Sequence, residues 1–233
     1  MSSTEQQHII KAYSFELGKV ERETIRVREV NEILANIDLK LAAAVAANLG
    51  LPAPKQGTVQ VNGSKPAQSK ALSQMNHPGD VGIKGRKIAL LVADGVDAAS
   101  VDRLVKALEA ESARLMLLGP TSAPVKTADG KQLPVDASME GMPSIMFDGI
   151  VVPGGKAATD ALAASGLAKH FLLEGYKHLK AMVLTKELAG SLGLKEDKGV
   201  LLGDEQKVVD AFVNAVEGHR VWEREVAAEA VPA

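Results

Sequence analysis

Phe147-Asp148-Gly149-Ile150-Val151-Val152-Pro153-Gly154-Gly155 is the stretch of sequence that decides the fold. A short apolar run ends in two glycines, as strands of α/β sheets do where they turn into the next helix. Ligands of such sheets bind at the carboxyl ends of the strands. We therefore expect a candidate site at Gly154 and Gly155, which form either an anion cradle of backbone amides or a tight turn that only glycine tolerates.

The segments around this stretch alternate between strand and helix patterns. Apolar runs predict strands at 87–92, 114–118, 150–152, 181–184 and 200–202, and helical spacing predicts helices at 98–111, at 167–179 and through Val208, Phe212 and Val216. A glycine turn at 128–130 predicts a small hairpin outside the sheet. Since parallel strands need crossover connections, the pattern predicts a mostly parallel sheet with helices on both faces.

The residues before position 51 favour helix. Asp38 is expected to cap a helix over 39–48, and Gly50 is expected to follow its end. The apolar residues of one predicted helix face are Val27, Val30, Leu34, Ile37, Leu41, Val45 and Leu49. We predict a helical segment at 1–51, a linker rich in polar residues, glycine and proline at 52–84, an α/β domain at 85–220 and a tail at 221–233.

Composition excludes several classes of function. The 233 residues include no cysteine, which rules out disulfides, thiolate zinc sites and cysteine nucleophiles. The net charge of −2 and a pI near 6.2 make nucleic acid a poor partner. The five histidines lack metal-ligand spacing, so no metal is expected. We find no membrane-spanning run or leader pattern, and we expect a cytoplasmic protein.

Two further strand ends carry candidate side chains. Asp97 precedes the helix at 98–111, where it serves either as an acid or base or as the helix cap. Leu184, Thr185 and Lys186 end the strand at 181–184, where a sheet of this kind would present a nucleophile. Threonine is a weak nucleophile without a positioned base.

Four segments of the chain together resemble the C-terminal part of large-subunit haem catalases, and they occur in the same order. They are Ala12-Tyr13-Ser14-Phe15-Glu16-Leu17, Ile37-Asp38-Leu39-Lys40-Leu41, Gly175-Tyr176-Lys177-His178-Leu179-Lys180 and His219-Arg220-Val221-Trp222. Residues up to about 50 resemble the final helices of the catalase core, and 85–222 resemble its appended flavodoxin-like domain.

That appended domain is in turn similar to the class I glutamine amidotransferase-like superfamily, whose active members place a cysteine at a strand end near a glutamate. Here the matching positions hold Asp97, and Leu184 or Thr185 with Lys186. The resemblance therefore implies a vestigial pocket without a nucleophile. Its residues are Asp97, Gly154, Gly155, Leu184, Thr185 and Lys186.

The resemblance also implies a function for the longer protein. Full-length relatives dismutate hydrogen peroxide at a haem held by the catalase barrel, and neither Tyr13 nor Tyr176 lies in the proximal haem motif. We expect no catalytic, haem-binding or metal-binding residue in this chain and a structural, stabilising or chaperone-like role. The expected partners are a second copy, the catalase core or unfolded client proteins, with no nucleic acid and no membrane. The alternative is a residual hydrolase or glyoxal-modifying enzyme that uses Thr185 or Asp97.

Overall fold

The computed structural model describes residues 2–57, 69–72, 82–204 and 206–232. The chain divides into two compact units, Met1–His77 and Pro78–Ala233. Much of the predicted linker at 52–84 lies outside the described residues, and within its described part a single 3-10 turn covers Lys70–Leu72. The domain limits drawn from the sequence stay predictions.

The first unit consists of short helices. They are α1 (Ser3–Gly18), α2 (Glu23–Arg28), a π-helical turn (Glu29–Leu34), α3 (Ala35–Ile37) and α4 (Leu39–Asn48). The Asp38 carboxylate accepts hydrogen bonds from the backbone amides of Lys40 (2.8 Å) and Leu41 (2.9 Å). Gly50 has a φ of +69° just after α4. The predicted start and end of this helix are confirmed, because the side-chain cap and the left-handed glycine are both in place.

The core of the first unit contains only part of the predicted helix face. Its buried residues are Ile10, Leu17, Val30, Leu34, Ala35, Ala42, Val45 and Ala46. Ile37 was expected on this face, but it is 66% exposed. The prediction assumed regular helical spacing up to Ile37, whereas the wider π turn at Glu29–Leu34 changes the angular spacing before Ile37.

The second unit is built on a six-stranded sheet. Its strands are β1 (Lys87–Leu91), β2 (Arg114–Gly119), β5 (Ala137–Ser138), β6 (Gly149–Val151), β7 (Ala181–Leu184) and β8 (Val200–Leu202). They lie in the order β5-β2-β1-β6-β7-β8, and all pairings are parallel. The predicted hairpin is confirmed as the antiparallel pair β3 (Val125–Lys126) and β4 (Gln132–Leu133). Without the two-residue β5, the five longer strands of this sheet have the 2-1-3-4-5 order of flavodoxin-like folds.

Helices cover both faces of this sheet. They are α5 (Ala98–Ala110), α6 (Lys156–Ala164), α7 (Gly166–Lys177), α8 (Lys186–Ser191) and α9 (Gln206–Glu217). Ala89 and Leu91 of β1 belong to the core cluster that includes residues of α6, α7 and α8. Ile88 and Leu90 belong to the opposite cluster, with residues of α5 and α9. Alternate strand residues thus fill two cores, and the predicted α/β fold is confirmed.

The predicted tail is part of the second unit. A 3-10 turn at Trp222–Arg224 leads into α10 (Glu225–Ala228), and Ala228 is buried in the same core cluster as α7. Arg224 is only 2% exposed, and its Nη2 donates to the carbonyl oxygens of Lys180 (2.8 Å) and Tyr176 (3.3 Å). A buried guanidinium with carbonyl partners fixes this segment on the domain.

Candidate functional site

The turns that follow β1, β6, β7 and β8 meet at the carboxyl edge of the sheet, because the four strands run in the same direction. The chain order reverses between β1 and β6, which is the switch point where ligands of such sheets bind. The turns after these two strands carry Asp97 and the pair Gly154–Gly155. The sequence therefore places its candidate residues at the expected edge.

Gly154 and Gly155 form a tight turn whose polar groups bind the protein itself. The Gly154 amide donates to Ser100 Oγ (2.8 Å), and the Gly154 carbonyl accepts from the Asp97 amide (2.8 Å). Gly155 has a φ of +130°, and a Cβ added there would lie 2.5 Å from the Gly95 carbonyl oxygen. Only glycine fits at position 155, and the Gly154 amide already has an acceptor.

A polar cluster behind this turn was missed in the sequence. Ser100 is 1% exposed and donates to Asp204 Oδ2 (2.5 Å), and Arg103 Nη2 donates to the same oxygen (2.5 Å). Burial alone would raise the pKa of the Asp204 carboxyl, but the hydrogen bonds from Ser100 and Arg103 outweigh it and hold this pKa below its ordinary value. The Ser100 hydroxyl and the Arg103 guanidinium thus both stabilise the ionised form of Asp204. The position of Asp204 directly after β8, at a strand end, is the signal that points to it in the sequence.

Asp97 and Thr185 are both helix caps in the structure. The Asp97 carboxylate accepts from the Ala99 amide (3.0 Å) at the start of α5. Thr185 Oγ1 accepts from the Leu188 amide (3.3 Å) at the start of α8. Of the two roles considered for Asp97, the geometry shows the cap. Each side chain satisfies a backbone donor that has no partner inside its helix.

Leu184 requires a correction. It was placed in the vestigial pocket, but it is fully buried in the core cluster that contains Met182. Both side chains point to the same face of β7, since residues two apart in a strand share a face. Leu184 therefore contributes to packing and does not face the strand-end turns.

Two shallow depressions lie at the carboxyl edge. Gly155 and Thr185 line the first, of about 280 Å³, and Gly154, Thr185 and Lys186 line the second, of about 230 Å³. The other lining residues are Lys156, Thr159, Asp160 and Glu187 in the first and Val152, Glu187, Gly203 and Asp204 in the second. Asp97 and Leu184 line neither. Both volumes fall below the range of about 300–1,000 Å³ that is typical of small-molecule sites.

The described residues contain neither a metal-binding cluster nor a membrane-spanning helix. Among residues 2–57, 69–72, 82–204 and 206–232, no group of three or more histidine, aspartate or glutamate side chains is placed to hold a metal ion. Within those same ranges, no helix is both long enough and apolar enough to cross a bilayer.

Known protein families and known proteins match most or all of the chain. A family model described as the C-terminal domain found in long catalases matches residues 84–226, and one described as catalase-related immune-responsive matches residues 1–49. The chain is 88% identical to catalase HPII of Pseudomonas putida, over all of this chain and 33% of that protein. It is 47% identical to catalase HPII of Pseudomonas aeruginosa and 38% identical to catalase-B of Dictyostelium discoideum, over all of this chain and 33% and 34% of those proteins. The chain spans about a third of the length of these relatives.

Proposed function

We propose, because this chain belongs to the family of long catalases, that it is the C-terminal part of a hydrogen-peroxide-dismutating enzyme in which it has a structural rather than a catalytic role. The observation that carries the proposal is the match of the entire chain, at 88% identity, to one third of a protein named catalase HPII. We also propose, from the same resemblance, that the protein is cytoplasmic.

The strand-end geometry supports a role without catalysis. The side chains that a hydrolase would need already form hydrogen bonds within the fold. Thr185 and Asp97 cap helices, and Ser100 donates to the carboxylate of Asp204. Among the described residues, no histidine or lysine side chain forms a hydrogen bond with any of the three, as a general base of a hydrolase would. For this reason we do not propose the hydrolase or glyoxal-modifying alternative.

The described residues do not fit haem. Tyr176 is buried in the core of the second unit, and the Arg224 guanidinium lies 4.3 Å from the centre of its ring. That guanidinium also donates to backbone carbonyl oxygens, so both side chains belong to the packing of the domain. Tyr13 belongs to the other unit, among its partly buried core residues. The haem chemistry of the family therefore falls to the rest of the longer protein in our proposal.

Exposed apolar side chains of the first unit support a binding surface on this unit. Phe15 is 67% exposed and Ile37 is 66% exposed, and Ile25, Ile33 and Leu39 are exposed as well. Both Phe15 and Ile37 lie in segments that resemble the end of the catalase core. We infer that these side chains pack against the remaining two thirds of the longer protein and stabilise it there, since burial of apolar surface favours association.

The proposal is tested with the purified chain and with the full-length gene product. The chain alone, incubated with haem and peroxide, is expected to leave the Soret band of free haem unshifted and to release oxygen no faster than free haem does. A shifted Soret band with oxygen release much faster than that of free haem would overturn the assignment of the haem chemistry to the rest of the protein. In the full-length protein, Phe15→Ser with Ile37→Ser should shorten the half-life of catalase activity on heating, whereas Leu72→Ser, at an exposed leucine of the 3-10 turn Lys70–Leu72, should not. Equal half-lives would contradict the stabilising role.

A further inference from the structure

The amino edge of the sheet, opposite the strand-end turns, carries a second polar cluster. It consists of Arg86, Asp148, Lys180, His219 and Arg220, and we call it the basic edge cluster. Three of its members lie directly before strands: Arg86 before β1, Asp148 before β6 and Lys180 before β7. The parallel sheet therefore brings together residues that are far apart in the sequence.

The one carboxylate of this cluster is already in use. Asp148 Oδ1 lies 3.3 Å from Arg86 Nη1, and Asp148 Oδ2 accepts from the Lys87 amide (2.9 Å). Both oxygens thus hold the start of β1. The charge of Asp148 balances Arg86, and no other cation of the described residues lies within salt-bridge distance of it.

His219 lies between the two arginines. Its Nδ1 is 3.4 Å from Nη1 of Arg86 and 3.4 Å from Nη1 of Arg220. A guanidinium has donors only, so in both contacts the arginine is the donor and Nδ1 is the acceptor. The ring nitrogen therefore holds the two guanidinium groups close together. Its φ of +68° is unusual for a residue other than glycine, and such conformations occur often at functional sites.

The cluster has an excess of positive charge. Arg86, Lys180 and Arg220 are three cations, against the carboxylates of Asp148 and, near Lys180, Glu174, and within the described part of the chain neither Lys180 nor Arg220 forms an ion pair. Burial and the nearby charge of Arg220 lower the pKa of Lys180 to about 8, although the charges of Asp148 and Glu174 act in the other direction. Burial and the charge of Arg86 lower the pKa of Arg220 from its ordinary value, although Asp148 acts in the other direction. An anion bound here would raise the pKa values of both Lys180 and Arg220, because it favours their charged forms.

Donors remain free at the surface of the cluster. Arg86 is 27% exposed and Arg220 is partly exposed, and Nε and Nη2 of both side chains make no hydrogen bond to any described residue. Lys180 is buried, and its Nζ donates to the Ser144 carbonyl oxygen, so it acts through its charge and not by contact.

The segments that carry the cluster were singled out in the sequence by resemblance alone. Lys180 ends the segment 175–180, and His219 and Arg220 begin the segment 219–222. The Val221 amide donates to the Leu179 carbonyl (2.8 Å), which joins the two segments. Their contact produces a charged surface that the structural role proposed above does not use.

We propose that the basic edge cluster is a binding site for a small oxyanion of the phosphate type. The planar fork of arginine donors matches the oxygens of phosphate, and two such forks lie on either side of His219. A bound oxyanion also balances the positive charge that remains after the carboxylates of Asp148 and Glu174 are counted against the three cations.

The test is a titration of the whole chain with inorganic phosphate, in a phosphate-free starting buffer at pH 7 and at constant ionic strength maintained with chloride. Binding is followed by calorimetry and by the ring nuclear magnetic resonance signals of His219. Arg220→Gln is the variant of choice, because it leaves the Arg86–Asp148 pair in place. Lys106→Gln is the matched control, since it removes one positive charge from an exposed position on α5.

We expect saturable phosphate binding with a shift of the His219 signals, and an affinity at least about tenfold weaker in Arg220→Gln but unchanged in Lys106→Gln. Circular dichroism confirms that both variants are folded. The proposal fails if phosphate has no more effect than chloride, if Arg220→Gln and Lys106→Gln bind phosphate equally well, or if the His219 signals do not move while phosphate binds.

Discussion

Replacement of Gly155 by alanine tests the central turn of the second unit. The backbone there has a φ of +130°, which alanine adopts only with strain. The added Cβ would also lie 2.5 Å from the Gly95 carbonyl oxygen, 2.8 Å from the Asp97 amide nitrogen and 2.9 Å from Val96 Cα. All three atoms are backbone, so no side-chain rotation relieves the contact.

The magnitude follows from these two costs. The unusual backbone conformation costs about 1–3 kcal/mol, and overpacking against fixed neighbours costs about 1–3 kcal/mol more. We expect Gly155→Ala to lower the free energy of unfolding by about 4 kcal/mol, a large part of the roughly 5–15 kcal/mol that holds a domain folded.

Two other glycines of the second unit separate the costs. Gly130 has a φ of +85° with no atom within 4 Å of an added Cβ, so Gly130→Ala isolates the backbone cost and should lose about 1–2 kcal/mol. An added Cβ at Gly154 would make only ordinary contacts, at 3.5 Å or more, and Gly154→Ala should stay within about 0.5 kcal/mol of the wild type.

The assay is urea unfolding followed by the fluorescence of Trp222, the one tryptophan of the chain, which packs against the core of the second unit. The expected order of loss is Gly155→Ala, then Gly130→Ala, then Gly154→Ala. If Gly155→Ala unfolds at the same urea concentration as Gly154→Ala, the turn is not the close backbone contact described above, and the reasoning is refuted.

Three other predictions concern buried or capping side chains. Arg224→Met removes a guanidinium that donates to three backbone carbonyl oxygens, and it should lower the free energy of unfolding by about 3 kcal/mol in the same assay; an unchanged urea midpoint would contradict this. Burial lowers the pKa of Lys180 from 10.5 to about 8, so between these pH values the unfolded chain binds more protons and stability rises with pH. The unfolding free energy of the wild type minus that of Lys180→Met should therefore increase by up to about 3 kcal/mol from pH 8 to pH 10.5. A difference that does not depend on pH would refute the shifted pKa. Thr185→Ala removes the cap of α8 and should cost about 1 kcal/mol while leaving background hydrolysis of a test ester unchanged; a loss of ester turnover would revive the hydrolase alternative.

The sheet of the second unit was readable from the sequence because its strands are continuous apolar runs. The strand predicted at 181–184 matches β7 at both ends, and the one at 200–202 matches β8. The cap at Asp38 was readable for a local reason, since its acceptor and donors lie within three residues. Signals that depend on neighbours in the chain are present in the sequence itself.

What the sequence did not show depends on contacts between distant residues. Ser100 and Asp204 are hydrogen-bonded across 104 positions of the chain, and Arg86 meets His219 across 133. The two-residue strand β5 is too short to give a pattern of its own. The π turn at Glu29–Leu34 changes the helical period, so Ile37 was assigned to the wrong side. Each of these features is fixed by tertiary structure and not by local preference.

The two outer strands of the sheet affect how the second unit behaves when many copies are crowded together. β5 has two residues and β8 has three, and both pair on one side only. Strands this short offer few unpaired backbone groups to another chain, and short edges are one way in which proteins prevent strand addition and aggregation. At high concentration, a parallel sheet with such short edges therefore gives little template for fibril growth.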